Sequence, residues 1–90
     1  MTAAILLPER LDLIAARPLA RDLAAATGDL RLDASAVRFL GGQCLQILLA
    51  SARHSAAAGR GFAIASPSTE FGDALRVFGV DPALLPEDGA

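Results

Sequence analysis

Residues 32–50, LDASAVRFLGGQCLQILLA, decide the architecture. Just before and at their start, Leu30 and Leu32 alternate with Arg31, the two-residue period of a strand with one buried face. That strand spans residues 29–33 and closes on a carboxylate, Asp33. A connection over residues 34–41 follows, with Val37 and Phe39 as its large apolar groups. Residues 42–58 then read as the longest helix of the chain, ended by Gly59. Strand, small-residue loop and helix N-terminus in that order often form a site for a phosphate or for chemistry. The side chains at the join decide what such a place can do.

Upstream, residues 3–7 read as a first strand, closed by Pro8, and residues 9–13 as a shorter second one. Pro18 suits the first turn of a helix, where its missing N–H is not needed. Leu19, Leu23 and Ala26 share one face of that helix, and Gly28 stops it. Downstream, residues 62–65 form a compact strand. Ser66-Pro67 reads as a cap followed by a first-turn proline. Phe71, Ala74, Leu75 and Phe78 make one face of a last helix, ended by Gly79. Residues 80–85 add an extended piece, and residues 86–90 a frayed tail. The alternation predicts an α/β fold: a small mixed, mostly parallel sheet with helices packed mainly on one face. The chain is expected to be one domain, residues 1–90, with its core over about residues 3–80.

Composition narrows the function. Of the 90 residues, 53% are hydrophobic, so a core can be filled. The only aromatics are four Phe residues, which leaves most of the packing to Ala, Leu, Ile and Val. The formal charge is −2 and all eight cations are Arg. They are scattered from Arg10 to Arg76 and make no basic stripe, which argues against nucleic acid and against an anionic membrane surface. A single cysteine, Cys44, excludes an internal disulfide. The apolar runs fall far short of the ~20 residues that cross a bilayer. A cytoplasmic protein without direct membrane insertion is the expectation.

No catalytic set emerges. His54 is the only histidine and sits on the polar side of the long helix near its end. Cys44 lies in the first turn, where a thiol can be activated, although a lone Cys in an apolar turn usually serves as a small packed residue. The two are ten residues apart, nearly three turns, so they cannot form a dyad within that helix. One Cys and one His do not make a metal site, and Gly41-Gly42 carries neither a dinucleotide nor a P-loop fingerprint. No enzyme and no cofactor are expected.

The long helix offers surfaces instead. Leu45, Leu48, Leu49 and Ala52 form a stripe suited to pack on the sheet. Cys44, Ile47 and Ser51 fall to one side of it, and Gln43, Gln46 and Ala50 beyond its other edge. Gly41, Gly42, Gln43, Gln46 and Ile47 are the candidate partner-binding residues, because an apolar patch rimmed by polar groups commonly marks a contact.

The order of these features resembles the STAS domain, the fold of bacterial anti-anti-sigma factors and of the cytoplasmic ends of sulfate transporters. The resemblance runs over about residues 5–80. It is carried by Asp33-Ala34-Ser35-Ala36-Val37, by Leu45 with Ile47-Leu48-Leu49-Ala50, by Gly59, by Ser66-Pro67-Ser68 and by Phe78-Gly79-Val80. The family's regulatory centre is an Asp-Ser-Ser-Gly-like sequence at the start of the long helix, phosphorylated by a partner kinase on its second serine. Aligned on Asp33 and Leu45, those positions are Gly41, Gly42, Gln43 and Cys44, so Gln43 stands at the phosphoacceptor place and cannot be phosphorylated. The nearest hydroxyls are Ser35 and Ser51, and Ser35, with Asp33, is expected to structure the loop. The resemblance implies a bacterial signalling adaptor that docks an anti-sigma kinase-like protein or a chemotaxis component. The alternative is an accessory subunit that binds the ATPase of a phospholipid-transporting ABC transporter.

Overall fold

A computed structural model describes the backbone of residues 2–88 and the side chains of residues 4–87. The elements in chain order are β1 (Thr2–Leu6), β2 (Arg10–Leu11), α1 (Leu13–Ala25), β3 (Asp29–Asp33), β4 (Phe39–Leu40), α2 (Gly42–Ala57), β5 (Phe62–Ala65), α3 (Thr69–Phe78), a 3-10 turn (Pro82–Leu84) and β6 (Glu87–Asp88). The main sheet has the order β1-β3-β5-β6, and β2 with β4 forms a two-stranded ribbon. All the described pairings are parallel. The fold is a small α/β sheet with helices, as the alternation of the sequence implies.

Side-chain alternation explains where the core sits. Leu30 and Leu32 of β3 and Ile64 of β5 are buried, while Arg31 between the two leucines faces outward. α1 and α2 pack against each other and add Ala16, Leu19, Leu23, Leu45, Leu48 and Ala52 to the same cluster. α3 packs against β4 and contributes Phe71, which is wholly buried. The opposite side of the sheet carries Leu6, Arg31, Asp33 and Ala65 around a shallow depression, so one face is covered and the other is largely open.

Several element boundaries depart from the sequence reading, each for a local reason. The second strand is only Arg10–Leu11 because Asp12 caps α1: its Oδ1 accepts from the amides of Ile14 and Ala15, both at 3.1 Å. α1 therefore starts at Leu13, and Pro18 lies inside the helix rather than in its first turn. The helix ends at an extended Ala26, and Gly28, at φ +77°, turns the chain into β3 instead of closing the helix. Ser66 cannot cap α3, since its φ of +49° is left-handed and an N-cap is extended. Ser68 takes that role, its Oγ accepting from the Phe71 amide at 3.0 Å. Residues 80–85 are not extended throughout: Asp81 accepts from Ala83 at 3.0 Å and winds Pro82–Leu84 into a 3-10 turn. Beyond it, the Pro86 carbonyl accepts from Ile64 at 2.8 Å and Glu87–Asp88 pairs with β5. The sequence suggests a frayed tail there. Residues 89–90 lie outside the described residues.

Candidate functional site

The join between β4 and α2 is held by backbone. The Gly41 amide donates to the Leu11 carbonyl at 2.9 Å, and the Gly41 carbonyl accepts from Leu45 at 3.0 Å as the first bond of the helix. A Cβ on Gly41 would stand 3.3 Å from both the Leu11 oxygen and the Phe39 ring, so glycine is what allows this close approach. A Cβ on Gly42 would meet the Phe78 ring at an ordinary 3.8 Å. No side chain caps α2 and its first turn holds no acidic residue. The partial positive charge of its free amides is left uncompensated by its own helix.

Apolar groups surround this helix start. The Phe39 and Phe78 rings flank Gly41-Gly42 and are 43% and 48% exposed. The Arg10 guanidinium lies 5.0 Å from the Phe39 ring centre. On the other side, Leu13 is 79% exposed and borders a cleft of about 370 Å³ between α1 and α2, shared with Arg17, Gln43 and Ile47.

The loop entering β4 is tied down from both ends. Asp33 Oδ1 accepts from the Ser35 amide at 2.9 Å. Hydrogen bonds from Ser35, the hydroxyl first and the amide second, hold the Asp33 carboxyl below the usual carboxylate range, and Arg31 adds to this. The Ala34 carbonyl accepts from Ser68 N at 3.1 Å, and the Val37 carbonyl from Ser68 Oγ at 2.5 Å. The start of α3 thus braces the loop that leads to α2. Beside it, the Asp12 carboxyl is also held low, first by the Ala15 amide, with Arg10 assisting.

The thiol of Cys44 is not armed as a nucleophile. Cys44 is fully buried, its thiol 3.4 Å from the Asp12 carbonyl. Burial pushes the thiol pKa up and the negative charge of Asp12 adds to the shift, the reverse of an activated cysteine. His54 is exposed in the last turn of α2. Among the described residues no cluster of His, Cys, Asp and Glu could hold a metal ion.

The structure brings Gly41, Gly42 and Gln43 together at the exposed start of α2. Ile47 is half-buried and packs against the core. Gln46 is exposed and does not line the cleft. Gln43 and Ile47 share one side of α2, where the helical stripe suggests opposite edges: residues four apart lie one above the other on a helix. Leu13, Phe39 and Phe78 escape the sequence reading. Leu13 is hidden by the misplaced start of α1. Phe78 sits on the apolar face of α3 but in the turn that overruns the core, and only its position just before Gly79 hints at this.

A family model described as "Mlab, STAS domain" matches residues 2–86. The chain belongs to the STAS family. No curated protein matches it. STAS domains are generally binding modules for other proteins and not enzymes. Among the described residues of this STAS domain, no helix is long and apolar enough to cross a membrane.

Proposed function

We propose that this STAS domain docks another protein through the start of α2, with Gly41, Gly42, Gln43 and the exposed edge of Ile47 at the centre and Gln46 on the rim. The observation that carries this reading is the apolar ring of Phe39, Phe78 and Leu13 around an uncapped helix N-terminus. Exposed phenyl rings beside backbone that approaches the surface offer a partner both contact area and unpaired amides. Asp33 and Ser35 act indirectly, by shaping the loop that presents Gly41.

The domain works without a phosphorylation switch at this place. From Ala36 to Ala50 the sequence has no Ser, Thr or Tyr. A phosphoryl group of roughly −1.5 to −2 charge, able to break an interface by repulsion and desolvation, has nothing there to be attached to. This favours the ATPase subunit of a bacterial phospholipid-transporting ABC transporter over an anti-sigma kinase or a chemotaxis component. An ATPase needs only the contour, whereas a kinase needs a hydroxyl. The domain then acts in the cytoplasm as an accessory subunit.

Affinity capture from native lysate tests both levels. The wild-type chain is expected to retain an ATPase together with its permease. Gln43→Glu and Phe78→Ser, both at exposed positions, are expected to weaken that capture at least about tenfold, or ~1.4 kcal/mol, with unchanged circular dichroism. Retention of a kinase or receptor array instead selects the signalling reading. Capture undiminished in both variants removes the start of α2 as the docking face.

A further inference from the structure

We infer that the chain binds a medium-chain fatty acid, with its carboxylate on Arg60 and its hydrocarbon in a groove between the later halves of α1 and α2. This groove, of about 520 Å³, adjoins the cleft at the start of α2, with which it shares Ala20 and Ile47. Arg60 carries the inference. The residue is half-buried, and its Nε is sealed from solvent without a hydrogen-bond partner. Among the described residues its guanidinium makes no ion pair either. Asp29, beside the adjoining Gly61, accepts from the Gly61 amide at 2.7 Å instead. A buried donor on a charged group is costly to leave unpaired, and folded proteins seldom do so.

The groove has an apolar end and a polar end. Each of its two helices leads into the next parallel strand of one sheet, so both run in the same direction. Ala20, Leu23, Ile47 and Ala50 line the earlier part, and Thr27, His54 and Arg60 the later part. No carboxylate lines it. From Ile47 to His54 the groove extends roughly 10 Å, at ~1.5 Å per residue. The negative end of α2 is closed off from it. The amides of Ala58, Gly59 and Arg60 return to the carbonyls of His54, Ala56 and Ser55 at 3.1, 3.1 and 2.8 Å. Arg60 is thus the one fixed charge in the lining.

The chemistry of the lining selects the occupant. A guanidinium is a planar fork that holds a carboxylate by two N–H groups at once. One arginine matches one negative charge, and Thr27 and His54 add hydrogen-bonding groups at the rim. The walls select the rest of the ligand. They are helical, with amides and carbonyls bonded along the helix, so the backbone of a peptide finds no partner there. No aromatic ring lines the groove to stack on a base. An alkyl chain needs neither, and one of medium length fills the apolar part. The inference is independent of docking at the start of α2.

Titration of the isotope-labelled chain with octanoate, followed by magnetic resonance, tests this. Saturable shifts are expected at the Arg60 Nε–H and at Ala20, Ala24 and Ala50, which line the groove. Octanol, the same chain without the charge, is expected to bind at least about tenfold more weakly. Hexanoate, two methylenes shorter, is expected to lose about as much. Arg60→Gln removes the fork, and Ala50→Glu sets a like charge in the groove at an exposed position. Each is expected to weaken octanoate at least about tenfold with unchanged circular dichroism; should Arg60→Gln unfold, Ala50→Glu decides. Absence of saturable shifts below the micellar concentration of octanoate overturns the inference. So does octanol binding as tightly as octanoate, or an affinity unchanged in Ala50→Glu. Shifts confined to Arg53, Phe62 and Leu84, which line a depression on the other flank of Arg60, overturn it as well. Tighter binding of acetyl-leucyl-leucine than of octanoate replaces the fatty acid with a peptide C-terminus and likewise overturns it.

Discussion

Ser68 holds two partners at once, the Phe71 amide as the cap of α3 and the Val37 carbonyl of the loop before β4. Removing the hydroxyl takes away the cap and leaves a loop carbonyl without its donor. Ser68→Ala is expected to cost about 1–2 kcal/mol and to lower the melting temperature by ~4–8 °C per kcal/mol; a melting temperature equal to wild type would show that α3 does not brace the loop. Asp33 acts through charge. Its carboxyl is held below the ordinary value by Ser35, so the folded chain takes up that proton less readily than the unfolded one. The stabilisation is complete above about pH 4, the unfolded range, and is lost as the pH falls through the lowered folded value. Stability plotted against pH is expected to fall more steeply below ~pH 4 in wild type than in Asp33→Asn; parallel curves would refute the contribution. At this scale the sequence is partly legible. Asp33 with Ser35 is readable as a loop-forming pair because an Asx turn is local. The cap at Ser68 is harder to read, since Ser66 offers an equally good local pattern and only the left-handed turn at Ser66 excludes it.

Among the elements, β3 and β5 match the sequence reading to the residue, and α2 ends one residue early. Alternating and stripe-like hydrophobic patterns are strong signals there. α1 departs among the helices by the most residues. Its start is misread because a proline attracts the first-turn assignment, although Asp12, six residues before Pro18, is the true cap. Pro18 in the helix interior has no N–H for the Ile14 carbonyl, and its own side chain is exposed. Pro18→Ala is expected to stabilise the chain by roughly 1–3 kcal/mol, seen as a higher denaturant midpoint. A lower midpoint would mean that the proline is needed where it stands.

In the whole molecule, what the sequence reveals is the layout, and what it hides is where surfaces meet solvent. Periodicity shows that Phe78 is on the apolar face of its helix. It does not show that the helix outlasts the core beneath that residue. Nor does a five-residue C-terminal stretch with Pro, Glu, Asp and Gly look like sheet, yet Pro86 and Glu87–Asp88 pair with β5. Deleting residues 86–90 is therefore expected to lower the denaturant midpoint; an unaltered midpoint would restore the view of these residues as a free tail. The four phenyl rings end up in unlike surroundings. Phe71 is sealed, Phe62 is half-covered, and Phe39 and Phe78 stand open at the start of α2. With fluorine placed on every phenylalanine, magnetic resonance would see an arriving partner through two of the four signals while the other two stayed put, so the molecule carries its own built-in reporter and internal reference.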